Sequence, residues 1–237
     1  MGDVLDDDVS VLGEAGTTEA NSRVTDAYGF KPEWRGRLHA IAFFVTLPAG
    51  LFLLSAAHTT MARFAVAVYT ASLAGLFGAS ASYHRLAHTE RAVRILRKLD
   101  HSMIFALIAG TYTPICLLVL PRAWGIPMLV AVWVTAVAGM IMKIVRLTAG
   151  PGKSGSWLYG VLGSSAVISL PKLLGELGPW RAALLLVGGL IYGVGAWILG
   201  ARKLNMRAET FGYHEVWHVF TIVAGVCHFA LIAAVLP

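Results

Sequence analysis

What most limits this chain is the length over which it carries no charge. Seven stretches contain no Asp, Glu, Lys or Arg: Ile41–Ala57, Phe64–His84, Met103–Pro121, Ala123–Met142, Trp157–Pro171, Ala182–Ala201 and Val216–Pro237. About 20 apolar residues in a helix cross the roughly 30 Å of hydrocarbon in a bilayer, and most of the seven approach or reach that length. The fifth is the shortest and must borrow Lys172, whose ammonium can reach water from a helix end. Inside lipid, backbone polar groups must be satisfied within the segment, which selects helices. The expectation is an all-α integral membrane protein of seven transmembrane helices. Only 14% of the residues are charged, against about 25% in soluble domains, so a water-solvated globule is excluded.

Residues 1–37 differ from the rest. They hold eight of the thirteen acids, from Asp3 to Glu33, and form an acidic tail expected to be flexible to about Tyr28. The transmembrane domain is expected over 38–237. The tail lacks an apolar segment, so the first span is expected to act as an uncleaved insertion signal. Lys and Arg set the orientation. Fifteen of the nineteen fall in the tail and in the second, fourth and sixth connections, leaving only Arg63, Arg122, Lys172 and Arg181 opposite. The N-terminus is therefore expected in the cytoplasm and the C-terminus outside. The net charge of +6 then belongs to connections that face anionic headgroups, and calls for no nucleic acid. Membrane lipids are the expected partners and the cell membrane the expected location. Cys116 and Cys227 both lie in apolar runs, where packing is the simplest role.

Polar residues inside the spans are the informative minority. Ser80 and His84 end the second span, Asp100 and His101 open the third, and His214 and His218 open the seventh. With the orientation above, all three clusters lie at one depth, on the cytoplasmic side. Residues four apart on a helix share a face, with Cβ atoms about 5–6 Å apart, so His214 and His218 can converge on one ion. With His84 they make three imidazoles and leave one coordination position open, the composition of catalytic zinc sites. Two histidines at a water boundary would give the same spacing. Asp100 could hold or deprotonate a zinc-bound water; alternatively it favours the positive end of its own helix or pairs with a nearby base. Ser80 could hydrogen-bond that water or serve close helix packing. His39, His58 and His88 are expected in solvent, and His101 is expected to point away from Asp100. His228 lies deep in the last span.

The string "HEVWH" also reads as H-E-x-x-H, in which Glu215 would be the base of a metalloprotease. The further ligand available is His84, far upstream, and no downstream ligand follows, so the glutamate is read as a coincidence. Glu215, next to His214, could equally sit in the cytoplasmic headgroup region. In the third span, Pro114 removes a backbone donor and is expected to bend the helix, with Thr111 and Thr113 available to the freed groups.

Taken together, "SASYH" at 80–84, "LDHSMIFALIAGTYTP" at 99–114 and "FGYHEVWHVF" at 211–220 resemble the hemolysin III branch of the progestin and adipoQ receptor family, over roughly residues 30–237. The resemblance implies seven helices and a cytoplasmic N-terminus. It implies Zn2+ held by His84, His214 and His218, with Asp100 beside the zinc water and Ser80 one turn before His84. Through its similarity to alkaline ceramidases, it also implies hydrolysis of a lipid amide or ester, with a fatty acid or lipid amide as ligand. No basic residue clearly matches a carboxylate-binding group, and Lys143 and Lys153 are candidates by location only. Other roles consistent with the family are a lipid sensor with a structural zinc and a cytolytic membrane protein.

Overall fold

The computed structural model describes residues 25–26, 29–30, 32–146, 157–204, 206–207 and 209–237. Apart from Thr25–Asp26, the stretch of the acidic tail expected to be flexible lies outside them, as does the candidate Lys153. The chain divides into two compact units, residues 1–31 and 32–237. Within the first, β1 (Thr25–Asp26) pairs antiparallel with β2 (Gly29–Phe30).

The second unit is helical: α1 (Arg37–Ala56), α2 (Thr60–Leu86), α3 (Glu90–Pro114), α4 (Arg122–Arg146), α5 (Trp157–Ser164), α6 (Leu170–Ala201) and α7 (Tyr213–Ala234). Helices α2 and α3 start by the same device. Thr59 and Thr89 sit in extended backbone, and their hydroxyls accept from the N–H of Ala62 at 3.1 Å and of Ala92 at 3.2 Å. Each such cap contributes about 1 kcal/mol. Helix α3 begins well before its charge-free run. Arg91, Arg94, Arg97 and Lys98, counted as connection by charge, are its first turns. At Pro114 the α-helix gives way to a π-helical turn, Ile115–Val119. The hydroxyls of Thr111 and Thr113 donate to the carbonyls of Leu107 and Ala109, each at 2.8 Å, and Trp133 Nε1 donates to the Thr113 hydroxyl at 3.1 Å.

Six helical stretches among the described residues are long and apolar enough to cross a membrane. The difference from the expected seven lies in residues 157–201, which form one nearly continuous stretch. Residues 172–181, read as a connection, are helical except at Gly178. There φ is 70° and ψ 172°, and the axis kinks before Pro179. A second irregularity lies upstream, where α5 tightens into a 3-10 turn over Ser165–Ser169. Tyr112 of α3 supports that turn. Its hydroxyl donates to Gly163 O at 2.9 Å and accepts from Ala166 N at 2.7 Å and Ser165 Oγ at 3.1 Å.

Burial ranks the helices. The most apolar window of α3 and its π turn is 61% buried and that of α2 50%, against 28% for α1 and 22% for α4, so α2 and α3 are central. Two apolar clusters share α3 and α7. In one, Leu53, Val66, Tyr69 and Phe77 meet Leu107 and Ile232; in the other, Phe105 and Tyr112 meet Val132, Leu162, Leu173 and Leu231. Side chains such as Phe44, Leu51, Val134, Leu190 and Trp197 point outward and are exposed, as expected where lipid is the solvent. The polar positions sit on the inner faces of α2, α3 and α7, which brings their ends together.

The backbone at Gly178 lies in a region essentially closed to residues with a Cβ, at a cost of order 1–3 kcal/mol. A Gly178→Ala substitution should therefore destabilise the protein by about that amount, read as a lower unfolding temperature in detergent. Gly189→Ala, where an added Cβ meets nothing within 4 Å, should be close to neutral.

Candidate metal centre

Each histidine is placed by the end of a helix. The last two turns of α2 bury Ser80, Tyr83 and His84, while the first two turns of α7 bury His214, Glu215 and His218. His84, His214 and His218 are 3%, 5% and 1% exposed. Their ligand atoms all lie within 4.8 Å of one another, the one such group among the described residues. The expected convergence of α2 and α7 is thus present. Nε2 of His84 and Nε2 of His214 are 3.2 Å apart. Two nitrogens on a tetrahedral zinc, each at about 2.0–2.1 Å, would stand about 3.3 Å apart. A hydrogen bond between the two rings explains that one distance but leaves the third imidazole over. A shared divalent ion accounts for all three, so the donor set fits one.

Asp100 reaches the neighbourhood from α3. Its side chain is 15% exposed, and its carboxylate has the Ser80 hydroxyl as a hydrogen-bonding neighbour. Ser80 precedes His84 by one turn of α2, which sets Asp100 beside the histidine end of that helix. His101 turns its Nδ1 to the carbonyl of Arg97 at 2.9 Å and stays 3.7 Å from an Asp100 oxygen. Lys143 is buried on α4, with Nζ 5.1 Å from the ring centre of Tyr159. His228, deep in α7, directs Nε2 to the carbonyl of Leu185 at 3.3 Å.

Two expectations are corrected. Glu215 does not sit among headgroups: it is fully buried and ion-paired to Arg35, itself only 3% exposed. One oxygen meets the Arg35 guanidinium and the other accepts from Gly212 N at 2.9 Å, capping α7. With both oxygens engaged, the glutamate is an anchor, not a base poised for a water, and the metalloprotease reading of H-E-x-x-H loses its catalytic group. His39 is not solvated either. It is 2% exposed and stacks on His218, with ring centroids 3.8 Å apart. His58 and His88 are exposed, as expected.

Both corrections come from residues 32–39. Backbone N–H groups of Glu33 and Trp34 donate to the carbonyls of Glu209 and Thr210 at 3.1 and 3.3 Å. The chain then enters α1 through Gly36, at φ 79°, where a Cβ would come within 2.6 Å of the Cβ of His84. Only glycine fits both the left-handed turn and that approach. The depth argument used for the other clusters would have found His39, because the first span begins on the same side as the third and seventh. Arg35 had no comparable signal, since a lone arginine before a span reads as a headgroup contact.

Residues 29–229 match the model of a family described as "Haemolysin-III related". The chain belongs to that family. Similar members include Hemolysin-3 of Bacillus cereus, 31% identical over 203 residues that cover 84% of this chain and 89% of the other. Another is the Hemolysin-3 homolog of Bacillus subtilis (strain 168), 30% identical over 187 residues, 78% of this chain and 84% of its own. Family membership and six membrane-capable helices make this haemolysin-III related chain a multi-pass integral protein of the cell membrane.

A buried ion pair costs most when one partner is removed, about 3–5 kcal/mol, because the other charge stays behind. Glu215→Gln should lower stability by that order, measured by thermal unfolding in detergent. Replacing the pair together, as Arg35→Met with Glu215→Leu, should recover a substantial part of the loss.

Proposed function

We propose that this protein is a haemolysin-III-type membrane protein built around a zinc ion held by His84, His214 and His218, which ties α2 to α7. The observation that carries the reading is the convergence of three buried imidazoles from helices distant in sequence. Neutral imidazoles without partners are costly to bury; on an ion they contribute binding energy and cross-link the bundle. The ion lies at the cytoplasmic ends of α2 and α7. Residues 157–177 and 179–201 make two separate crossings, for seven in all, with the N-terminus inside. Lys172, Glu176, Trp180 and Arg181 cluster around the Gly178 kink, the composition of a membrane–water boundary and not of its interior. A cysteine introduced after Pro237 should react with an impermeant thiol reagent on intact cells, whereas Ser22→Cys should not.

A second reading is favoured by the Ser80–Asp100 pair, for which a merely structural zinc has no use. In it the site hydrolyses a lipid amide or ester. Zinc, when bound, polarises a carbonyl and lowers the pKa of a coordinated water to about 7. Asp100 takes the proton from the attacking water and passes it to the leaving amine or alcohol, while Ser80 holds the carboxylate in place by its hydrogen bond. The products are a fatty acid and an amine or alcohol. The name shared by the two Bacillus relatives suggests cytolysis as a third activity, which would appear as dye release from liposomes independent of His84.

Elemental analysis of purified protein should find about one zinc per chain, and His84→Ala should hold little. Folded wild-type protein that takes up no zinc would end the reading. If the site is catalytic, stripping zinc should abolish lipid amide or ester hydrolysis and zinc should restore it. Asp100→Asn should slow turnover by about 100-fold or more while zinc stays bound; full activity in that variant would overturn Asp100 as the base.

A further inference from the structure

The site holds a fourth histidine outside the proposed ligand set. His39, in the first turn of α1, has its ring plane 22° from that of His218 at a centroid distance of 3.8 Å. Phe77 lies on another side, with centroids 5.0 Å apart. The backbone of His218 is a hydrogen-bonding neighbour of the ring, yet neither His39 nitrogen meets a partner in full hydrogen-bond geometry. A neutral imidazole carries one donor and one acceptor, and burying either unmade is unfavourable. A phenyl ring would fill the same place without that cost.

The position relative to the ligand set suggests what the ring is for. His39 is not among the residues whose donor atoms lie within 4.8 Å of one another, although it lies within electrostatic reach of both His214 and His218. A ring stacked on a ligand's face stands one van der Waals layer from the ion, beyond a zinc–nitrogen bond of about 2.0–2.1 Å. It is still within a hydrogen bond, about 2.7–3.2 Å, of an atom bound beside that face. Three histidines leave one position for such an atom. A divalent cation and an N–H donor both favour an anionic oxygen there.

Resting on the metal site proposed above, we propose that His39 is a ligand-binding residue whose ring N–H donates a hydrogen bond to a carboxylate oxygen in the position left open by His84, His214 and His218. Cobalt(II) in place of zinc gives visible absorption bands that respond to a change at that position, so binding can be followed without turnover. The full-length protein in detergent is loaded with Co2+ and titrated with acetate, beside His39→Phe, which keeps a flat ring, and His39→Gln, which keeps an N–H.

All three should bind about one Co2+ per chain. Half-saturation by acetate should rise about tenfold in His39→Phe, the worth of one hydrogen bond, and return part of the way in His39→Gln. Metal-free His39→Phe should unfold at the same temperature as wild type or higher, because two buried polar atoms are gone. Equal acetate titrations in wild type and His39→Phe would overturn the proposal, as would a wild-type spectrum that ignores acetate. Loss of Co2+ from a folded His39→Phe would overturn it too, making His39 a support of the ion itself. If His39→Phe does not fold, His39→Leu and His39→Gln carry the same comparison. Folded wild type that takes up no Co2+ sinks the metal reading and this proposal together. Uptake that is lost in His84→Ala upholds the metal reading whatever His39 does.

Discussion

A helix bundle solvated by lipid has no water with which to satisfy its buried polar groups, and this constraint shapes the end of the protein where α2, α3 and α7 meet. Outward positions are spent on Phe, Leu, Val and Trp. Every inward polar atom must find a partner among neighbouring helices or in something bound between them. Tyr112 meets the first requirement by bonding to a backbone turn of α5, and Glu215 does so by taking one bond from Arg35 and one from Gly212. The histidines do not divide so neatly. Three present their donor atoms to one another, and a fourth lies against them with its nitrogens unmatched. Groups of this kind are stable in such a place when an ion and its ligand complete them.

The N-terminal approach to α1 gives the site its wall. Residues 32–36 are bound to the chain just before α7, Gly36 lies against His84, and Arg35 reaches the buried glutamate. One short segment thereby contacts both helices that carry the clustered histidines. The glutamate of H-E-x-x-H takes its role from this segment. In a soluble metalloprotease the same residue faces water, whereas here its charge is neutralised by an arginine and its second oxygen caps a helix. The shared pattern therefore conceals opposite uses of one carboxylate.

Much of the fold could be read from residue types and spacing. Charge-free runs mark the membrane-capable helices, and one depth argument picks out Ser80, His84, Asp100, His214 and His218. Where that reading missed, the cause was physical. Charge marked Arg91 to Lys98 as a connection, yet a helix can leave the membrane without ending. Lys172, Glu176 and Arg181 end the charge-free runs on either side and make 172–181 read as a connection, but the stretch is helical apart from Gly178, where the axis kinks. His39 flanks the first span and so reads as solvated, although its side chain faces the bundle.

The sequence by itself determined that the chain lies in a membrane and where its apolar stretches fall, because hydrophobic length and charge are local properties summed along the chain. Only the tertiary structure decided which residues meet. The His84 and His214 nitrogens come together, Arg35 pairs with Glu215 across the bundle, and His39 lies on His218. Each contact depends on how helices rotate and pack around one another, and helical periodicity gives the face of a single helix but not the partner it turns toward.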